Sequence, residues 1–234
     1  MRAAVLSLPF RKRVPALAAR PMKVTVAVGA SRREVHLSER ADFTTLHDVF
    51  AEGEYDVAMP AAPRAIIDLG AHVGMSVLWF RERYPDARIL AVEPNPANVA
   101  KLERNVSGLP DVEVMPVAVG GEPGTAWLDV GQESWRSMLV TDPAGSEAIR
   151  VPVWTLDQLV DHFGCDPAET LLKMDIEGAE WAVLSRTDPA SFLAVLGDLH
   201  RDLLPVSPES FFSLFEGLRV EGEDTASTFR AFRR

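Results

Sequence analysis

Short apolar runs alternate with helical patterns over most of this chain. Each run is about as long as a buried strand, and apolar residues recur between the runs at helical spacing, as at Val73, Val77 and Phe80. Strands that alternate with helices form a parallel sheet with helices on both faces. The pattern therefore predicts an α/β domain. Its strand-like runs lie at residues 65–67, 89–92, 112–119 and 171–174.

The segments on either side of this region have patterns of their own. Residues 22–28 and 33–37 are strand-like and predict an N-terminal β-hairpin. Residues 218–220 and 228–232 predict an antiparallel hairpin at the edge of the main sheet. Residues 1–21 carry five basic residues and no acidic one. We interpret them as a basic N-terminal arm in front of a single domain that covers residues 22–234.

Composition narrows the class of protein. The net charge of −10 argues against a general nucleic-acid binder, and no apolar run approaches the roughly 20 residues of a membrane span. Cys165 is the only cysteine, which excludes an intrachain disulfide and a thiolate zinc cluster. The first residues do not follow the order of a secretory signal. We expect a cytoplasmic protein that acts on a small molecule, with no nucleic-acid or membrane partner. A homo-oligomer is compatible with the sequence.

The segment IIDLGAHVGMS predicts a ligand-binding loop. A buried strand ends at Asp68, and Gly70 and Gly74 then open a helix, at the edge of the sheet where α/β proteins bind ligands. The dinucleotide fingerprint has three glycines for a pyrophosphate, whereas this loop has two and places an acid at the strand end. An anion is a poor neighbour for a diphosphate and a good one for a cation. An NAD-dependent oxidoreductase is therefore the weaker alternative.

The next strand ends in a second acid, Glu93, 25 residues after Asp68. An acid at this position can accept hydrogen bonds from both hydroxyls of a ribose. Together the two acids favour a nucleoside with a positively charged tail and no phosphates. S-adenosylmethionine, an adenosine joined to a sulfonium amino acid, has this chemistry.

Four blocks resemble the FkbM-type S-adenosylmethionine-dependent methyltransferases: IIDLGAHVGMSVLWF, AVEPNPANVAKLERNV, VMPVAVGG and LLKMDIEGAEWAVL. The resemblance covers about residues 42–200. It implies a class I methyltransferase (Rossmann-like) fold with a seven-stranded sheet of order 3-2-1-4-5-7-6. It also implies O-methylation of a sugar, glycoside, polyketide or similar natural product. His72 departs from the usual Asn, and DLH at 198–200 departs from the usual Glu-x-His.

The resemblance also assigns a cofactor site. Residues of the glycine loop would hold the methionine part, Glu93 the ribose, and its neighbours the adenine, while Tyr55 would close over the cofactor. The predicted cofactor-binding residues are Tyr55, Asp68, Gly70, Ala71, Gly74, Ser76, Glu93, Pro94, Asn95 and Ala118.

Methyl transfer to a hydroxyl needs alignment and a base, and the candidates follow the strand at 171–174. We predict that His200, whose ordinary pKa is near neutrality, is the base. Lys173 and Asp175 are predicted to orient the acceptor and stabilise its developing charge. A buried Lys173 needs a partner, most simply Asp175 or Glu177. Glu180 is interpreted as a solvated helix residue.

Two matters stay open at this point. A metal-dependent version of the reaction would use Mg²⁺ on Asp175, Glu177 and Asp198, since Mg²⁺ prefers oxygen ligands. A non-catalytic module that only binds S-adenosylmethionine is a further alternative. Residues 121–150 are predicted to line or cover the acceptor pocket, with Trp127, Trp135 and Met138 as its large side chains.

Overall fold

The structure is a computed structural model, and it describes residues 21–28, 31–130, 138–140, 147–222 and 228–233. The basic arm, apart from Pro21, and Trp135 lie outside these ranges. Within them, no helix is long and apolar enough to cross a membrane.

The described part of the chain contains strands and helices in alternation. The strands are β1 (Met22–Val28), β2 (Ser31–Leu37), β3 (Ala65–Leu69), β4 (Arg88–Val92), β5 (Val112–Met115), β6 (Ala118–Val119), β7 (Gly124–Asp129), β8 (Met138–Val140), β9 (Ala148–Trp154), β10 (Thr170–Met174), β11 (Ala194–Asp198), β12 (Arg219–Glu221) and β13 (Thr228–Phe232). The α-helices are α1 (Arg40–His47), α2 (Met75–Arg83), α3 (Pro96–Val106), α4 (Leu156–Phe163), α5 (Glu180–Leu184) and α6 (Pro208–Phe212). Short π- or 3₁₀-helical turns lie at Asp48–Glu52, Pro167–Glu169, Pro189–Ser191 and Ser213–Phe215.

Seven strands form the central sheet, in the order β5-β4-β3-β10-β11-β13-β12. The first five are parallel to one another, and β13 is antiparallel to both of its neighbours. If only the seven strands of this sheet are numbered, in their order along the chain, their spatial order is 3-2-1-4-5-7-6. The register places Asp68 of β3 directly beside Lys173 of β10. The α/β methyltransferase-like architecture predicted from the sequence is therefore present.

The sequence did not predict the other sheets completely. β1 and β2 form the expected hairpin, with Met22 opposite Leu37. The run at 112–119, however, is two strands: β5 joins the central sheet, whereas β6 belongs to a separate four-stranded sheet of order β6-β9-β7-β8. Pro116 lies at the break, and a proline has no N–H to donate to a continuing strand.

Helices cover both faces of the central sheet. Ile66 packs on one face with the β-hairpin, α1, α2 and α3, while Ile67 and Leu69 pack on the other with α4, α5 and α6. Adjacent residues of β3 thus serve opposite cores, as the alternation of side chains along a strand requires.

Three helices begin with a side-chain cap at the N-terminus. The side chain of Asn95 accepts a hydrogen bond from the N–H of Ala97, and Thr155 and Gln158 form a reciprocal capping box. Ser207 caps α6. The first two caps fix where the chain leaves β4 and β9, and Asn95 lies two residues after Glu93.

Candidate active site

A cavity of about 360 Å³ lies at the carboxyl ends of β3, β4, β10 and β11. One end is lined by the glycine loop, Glu93 and residues 117–119, and the other by Asp175, Glu177, Asp198 and His200. The carboxyl ends of parallel strands are the usual place for a ligand in an open α/β sheet. The cavity therefore joins the predicted cofactor and acceptor ends.

Asp68 and Lys173 form a buried ion pair under the glycine loop. Their charged atoms are 3.0 Å apart, and neither side chain is more than 3% exposed. The Lys173 ammonium also donates to the carbonyl oxygens of Gly70 at 2.7 Å and Leu69 at 3.3 Å, and Ser76 Oγ donates to Asp68 at 2.6 Å. Burial alone lowers the pKa of Lys173, but Asp68 and Asp175 raise it above its ordinary value.

These contacts correct one expectation. The partner of Lys173 is Asp68, and not Asp175 or Glu177. Lys173 also lines the cavity, and its role in orienting an acceptor stays a prediction. Asp68 is buried against Lys173 and Ser76 and is not among the residues that line the cavity, so in this structure it supports the loop from behind.

The glycines of the loop are required by packing as well as by backbone conformation. Gly70 has φ +76°, and a Cβ at this position would overlap the carbonyl oxygen of Asp175. Gly74 has φ +90°, and its Cβ would lie 2.8 Å from Leu102 Cδ1. A side chain at either position would push the loop away from β10 or from α3.

Glu93 is 4% exposed and accepts three hydrogen bonds. They come from the N–H of His72 at 2.9 Å, the N–H of Asn95 at 2.9 Å and Asn98 Nδ2 at 3.2 Å. Burial raises the pKa of Glu93 to about 7, against the lowering effect of these donors. A carboxylate has about four acceptor positions, so the carboxylate keeps room for about one further donor from the cavity.

His72, where the family usually has Asn, lies next to Glu93 in a left-handed conformation with φ 47°. Its ring contacts Thr45 Oγ1 at 3.3 Å and the buried carboxylate of Asp42 at 3.8 Å. Burial, with the nearby Lys101, lowers the pKa of His72 to about 3. The ring is therefore neutral at physiological pH and links α1 to the glycine loop.

The structure separates the predicted cofactor residues into two groups. Those that line the cavity are Tyr55, Gly70, Ala71, Ser76, Glu93, Pro94 and Ala118. Asp68, Gly74 and Asn95 lie behind it and support it. The side chain of Asn95 caps α3, and Asn95 is not among the residues that line the cavity.

The aromatic and apolar walls differ in part from expectation. Tyr55 lies at the cavity with its ring 5.2 Å from that of Phe80. From the second sheet, the cavity receives Leu128 and Leu139 instead of the predicted Trp127 and Met138. Because side chains alternate along a strand, the neighbour of a predicted residue faces the cavity in each case.

His200 is surrounded by carboxylates at the acceptor end. Its Nδ1 lies 3.0 Å from Glu180 Oε1, and its Nε2 lies 3.3 Å from Glu177 Oε2 and 4.0 Å from Asp175 Oδ1. Glu180 is fully buried, so its interpretation as a solvated helix residue is wrong. The helix α5 turns this side chain inward toward His200.

The carboxylates change the protonation expected for this site. Burial by itself lowers the pKa of His200. The hydrogen bonds to Glu177 and Glu180 raise it by more, so the pKa lies above its ordinary value, at about 11. Burial raises the pKa of Asp175 to about 6, helped by Asp198 and opposed by Lys173. His200 is thus an imidazolium at neutral pH, and the expectation that it is a free base without help does not fit its surroundings.

Glu54 is a cavity residue that the sequence did not single out. Burial raises its pKa to about 7, against the lowering effect of Lys173. The available signal was its place beside Tyr55 in the segment EGEYD, where an acid precedes the aromatic residue. Only the fold brings this segment to the acceptor end.

One set of side chains could converge on a metal ion. Asp175, Asp198 and His200 each offer one atom, and these atoms lie within 4.8 Å of one another. The predicted set had Glu177 in place of His200, but Glu177 is engaged with the imidazolium. Mg²⁺ prefers oxygen ligands and one of the three converging atoms is an imidazole nitrogen, so no step through a metal follows from this geometry.

Comparisons with known proteins identify the family of this chain. The family described as Methyltransferase FkbM domain matches residues 68–201. Methyltransferase sdnD of Sordaria araneosa is 34% identical over 175 residues, which cover 60% of this chain and 67% of that protein. Methyltransferase 1 of Beauveria bassiana (strain ARSEF 2860) is 27% identical over 162 residues, which cover 60% of this chain and 65% of that protein.

One solved structure aligns with most of this chain. The crystal structure of Methyltransferase FkbM from Methylobacillus flagellatus KT aligns with 95% of this chain and 58% of that one, at 16% identity and a TM-score of 0.49. The present chain thus spans about two thirds or less of the length of these relatives. The family match, by contrast, covers more than half of this chain and runs from Asp68 past His200. The chain belongs to the FkbM methyltransferase family.

Proposed function

We propose that this chain transfers the methyl group of S-adenosylmethionine to a hydroxyl of a small molecule. The observation that carries the proposal is the single cavity with Glu93 and the glycine loop at one end and the Asp175–His200 pair at the other. A volume of about 360 Å³ suits small-molecule ligands, which occupy pockets of roughly 300–1,000 Å³.

The cofactor end supports a nucleoside without phosphates. Glu93 faces the cavity with about one free acceptor position for a ribose hydroxyl, while Pro94 and Ala118 offer an apolar surface to the adenine ring. The carbonyl of Gly70 is held by Lys173, which keeps the loop in place. S-adenosylmethionine would bring the activated methyl group, and the side chains around it would align the acceptor.

The acceptor end supports removal of one proton. As the hydroxyl oxygen forms its bond to the methyl carbon, the carbon–sulfur bond breaks and the hydroxyl proton must leave. Asp175 suits this role better than His200. Its pKa of about 6 leaves the carboxylate ionised at neutral pH and lies close to that pH, as is best for a general base. His200, as an imidazolium 4.0 Å away, stabilises negative charge that develops on the acceptor oxygen.

The family and the cavity support a proposal for the acceptor class. We propose a sugar, glycoside or polyketide-like alcohol, consistent with natural-product biosynthesis in the cytoplasm. The test is a screen of such alcohols with labelled S-adenosylmethionine, beside calorimetric titration of the cofactor. Tight binding of NAD, or cofactor binding with no methyl transfer to any acceptor, would contradict the proposal.

An Asp175→Asn variant tests the chemistry within this screen. We expect cofactor affinity to stay within about twofold and turnover to fall by roughly 10²–10⁴, the usual worth of a general base. Asp161→Asn, on the exposed face of α4, is the matched control and should keep full activity. EDTA should leave the rate unchanged; loss with EDTA and recovery with Mg²⁺ would move the chemistry to a metal on the Asp175 cluster.

A further inference from the structure

Glu180 is a fully buried carboxylate that the proposed reaction does not use directly. It is the first residue of α5 and has no exposed surface. Its Oε1 contacts His200 Nδ1 at 3.0 Å, and its Oε2 has no hydrogen-bond partner among the described residues. The only polar contact seen for this carboxylate therefore joins it to the ring of His200.

Stability alone does not explain this carboxylate. Withdrawing a carboxylate from water is expensive even when it is paired, and well-packed apolar residues often replace buried ion pairs without loss of stability. Val183 and Leu184 of the same short helix fill the adjacent core. The charge at position 180 is thus a feature that the packing of α5 does not require.

The turn before α5 is built to bring carboxylates to His200. Glu177 has φ 50°, in the left-handed region that is unfavourable for a residue with a side chain, and Gly178 follows with φ 94°. A Cβ on Gly178 would lie 2.9 Å from Leu203 Cβ. This tight turn places Glu177 beside Nε2 and lets Glu180 reach Nδ1 from the opposite side of the ring. Unfavourable backbone geometry of this kind is concentrated at functional sites.

We propose that Glu180 is a positioning residue that holds the His200 ring by Nδ1, so that Nε2 faces the acceptor end of the cavity. The proposal rests on the proposed methyl transfer. The charged groups that face the ring are Glu180 from α5, Glu177 from the turn, Asp175 from the end of β10 and Asp198 from β11. Of these, Glu180 is fully buried and holds Nδ1 from below the cavity.

Without Glu180, the ring loses the contact at Nδ1 that the described part of the chain provides and is free to turn about its side-chain torsions. Either nitrogen could then face Glu177. The positively charged ring of His200 would no longer have a fixed position relative to an acceptor. The glycine loop and Glu93 would keep their positions. Turnover should therefore fall without a change in cofactor affinity.

The experiment uses full-length protein with ¹⁵N-labelled histidine in two variants. Glu180→Gln keeps the shape and the acceptor oxygen but removes the charge, and Glu180→Leu removes the hydrogen bond. We expect the His200 ring nitrogens to resonate as an imidazolium at pH 8 in the wild type and to change in both variants, most in Glu180→Leu. Glu113→Gln is the matched control, because Glu113 lies 2.6 Å from His162 at an exposed site and should move only the His162 signals.

Kinetics with an identified acceptor completes the test. We expect turnover to fall about tenfold to a hundredfold in Glu180→Gln, the factor that one charge-assisted hydrogen bond is worth, with the cofactor dissociation constant unchanged. His200 signals that stay the same in both variants would overturn the positioning role. Altered His200 signals in a protein that methylates no acceptor would support positioning and reject the proposed function instead. If Glu180→Leu does not fold, the isosteric Glu180→Gln decides the matter.

Discussion

Lys173→Met should destabilise the protein because it removes one partner of a buried ion pair. The substitution leaves the Asp68 carboxylate without its counter-ion and takes a donor away from the carbonyls of Gly70 and Leu69. Breaking a buried pair by removing one partner costs about 3–5 kcal/mol. In a domain of this size, about 1 kcal/mol shifts Tm by roughly 2–4 °C. A decrease in Tm of about 6–20 °C is therefore expected.

Thermal unfolding followed by circular dichroism measures this decrease, and two further variants interpret it. Lys23→Met is the matched control, because its ion pair with Glu34 is 60% exposed on the lysine side and should contribute little. The double variant Asp68→Asn/Lys173→Met should be more stable than Lys173→Met alone, since no unpaired buried charge remains. A Tm decrease for Lys173→Met as small as that for Lys23→Met would refute the reasoning. So would a double variant that is no more stable than Lys173→Met alone.

The remaining predictions concern the loop, the ribose site and the base. Gly70→Ala should unfold far more easily than Gly108→Ala, because both glycines have positive φ but only at Gly70 would a Cβ meet another residue; urea titration of the two variants measures the difference. Glu93→Ala should weaken S-adenosylmethionine binding at least about tenfold in calorimetry, the worth of one charge-assisted hydrogen bond, and unchanged binding would remove Glu93 from the site. The value of kcat/KM should fall as the pH drops through about 6 and Asp175 takes up a proton, so a flat profile between pH 5 and 8 would reject Asp175 as the base.

Local patterns in the sequence were sufficient for the frame of the cofactor site. The period and length of the apolar runs identified β3, β4 and β10. The glycine loop and Glu93 were recognised because their chemistry depends on short spacing along the chain. Such features depend on neighbours within a few residues, so they can be read before the chain is folded.

Tertiary structure alone decided which charges meet. Lys173 and Asp68 are far apart in sequence, and only the parallel register of β3 with β10 makes them neighbours. Glu180 looks like a surface residue in its helix, yet the left-handed turn at Glu177 directs it to His200. The protonation of His200 depends on these long-range contacts, because a pKa responds to every charge and to the loss of water around the group. The order of residues therefore predicted which elements line the cavity, whereas the packing of β10, β11 and α5 determined which charged side chains meet there.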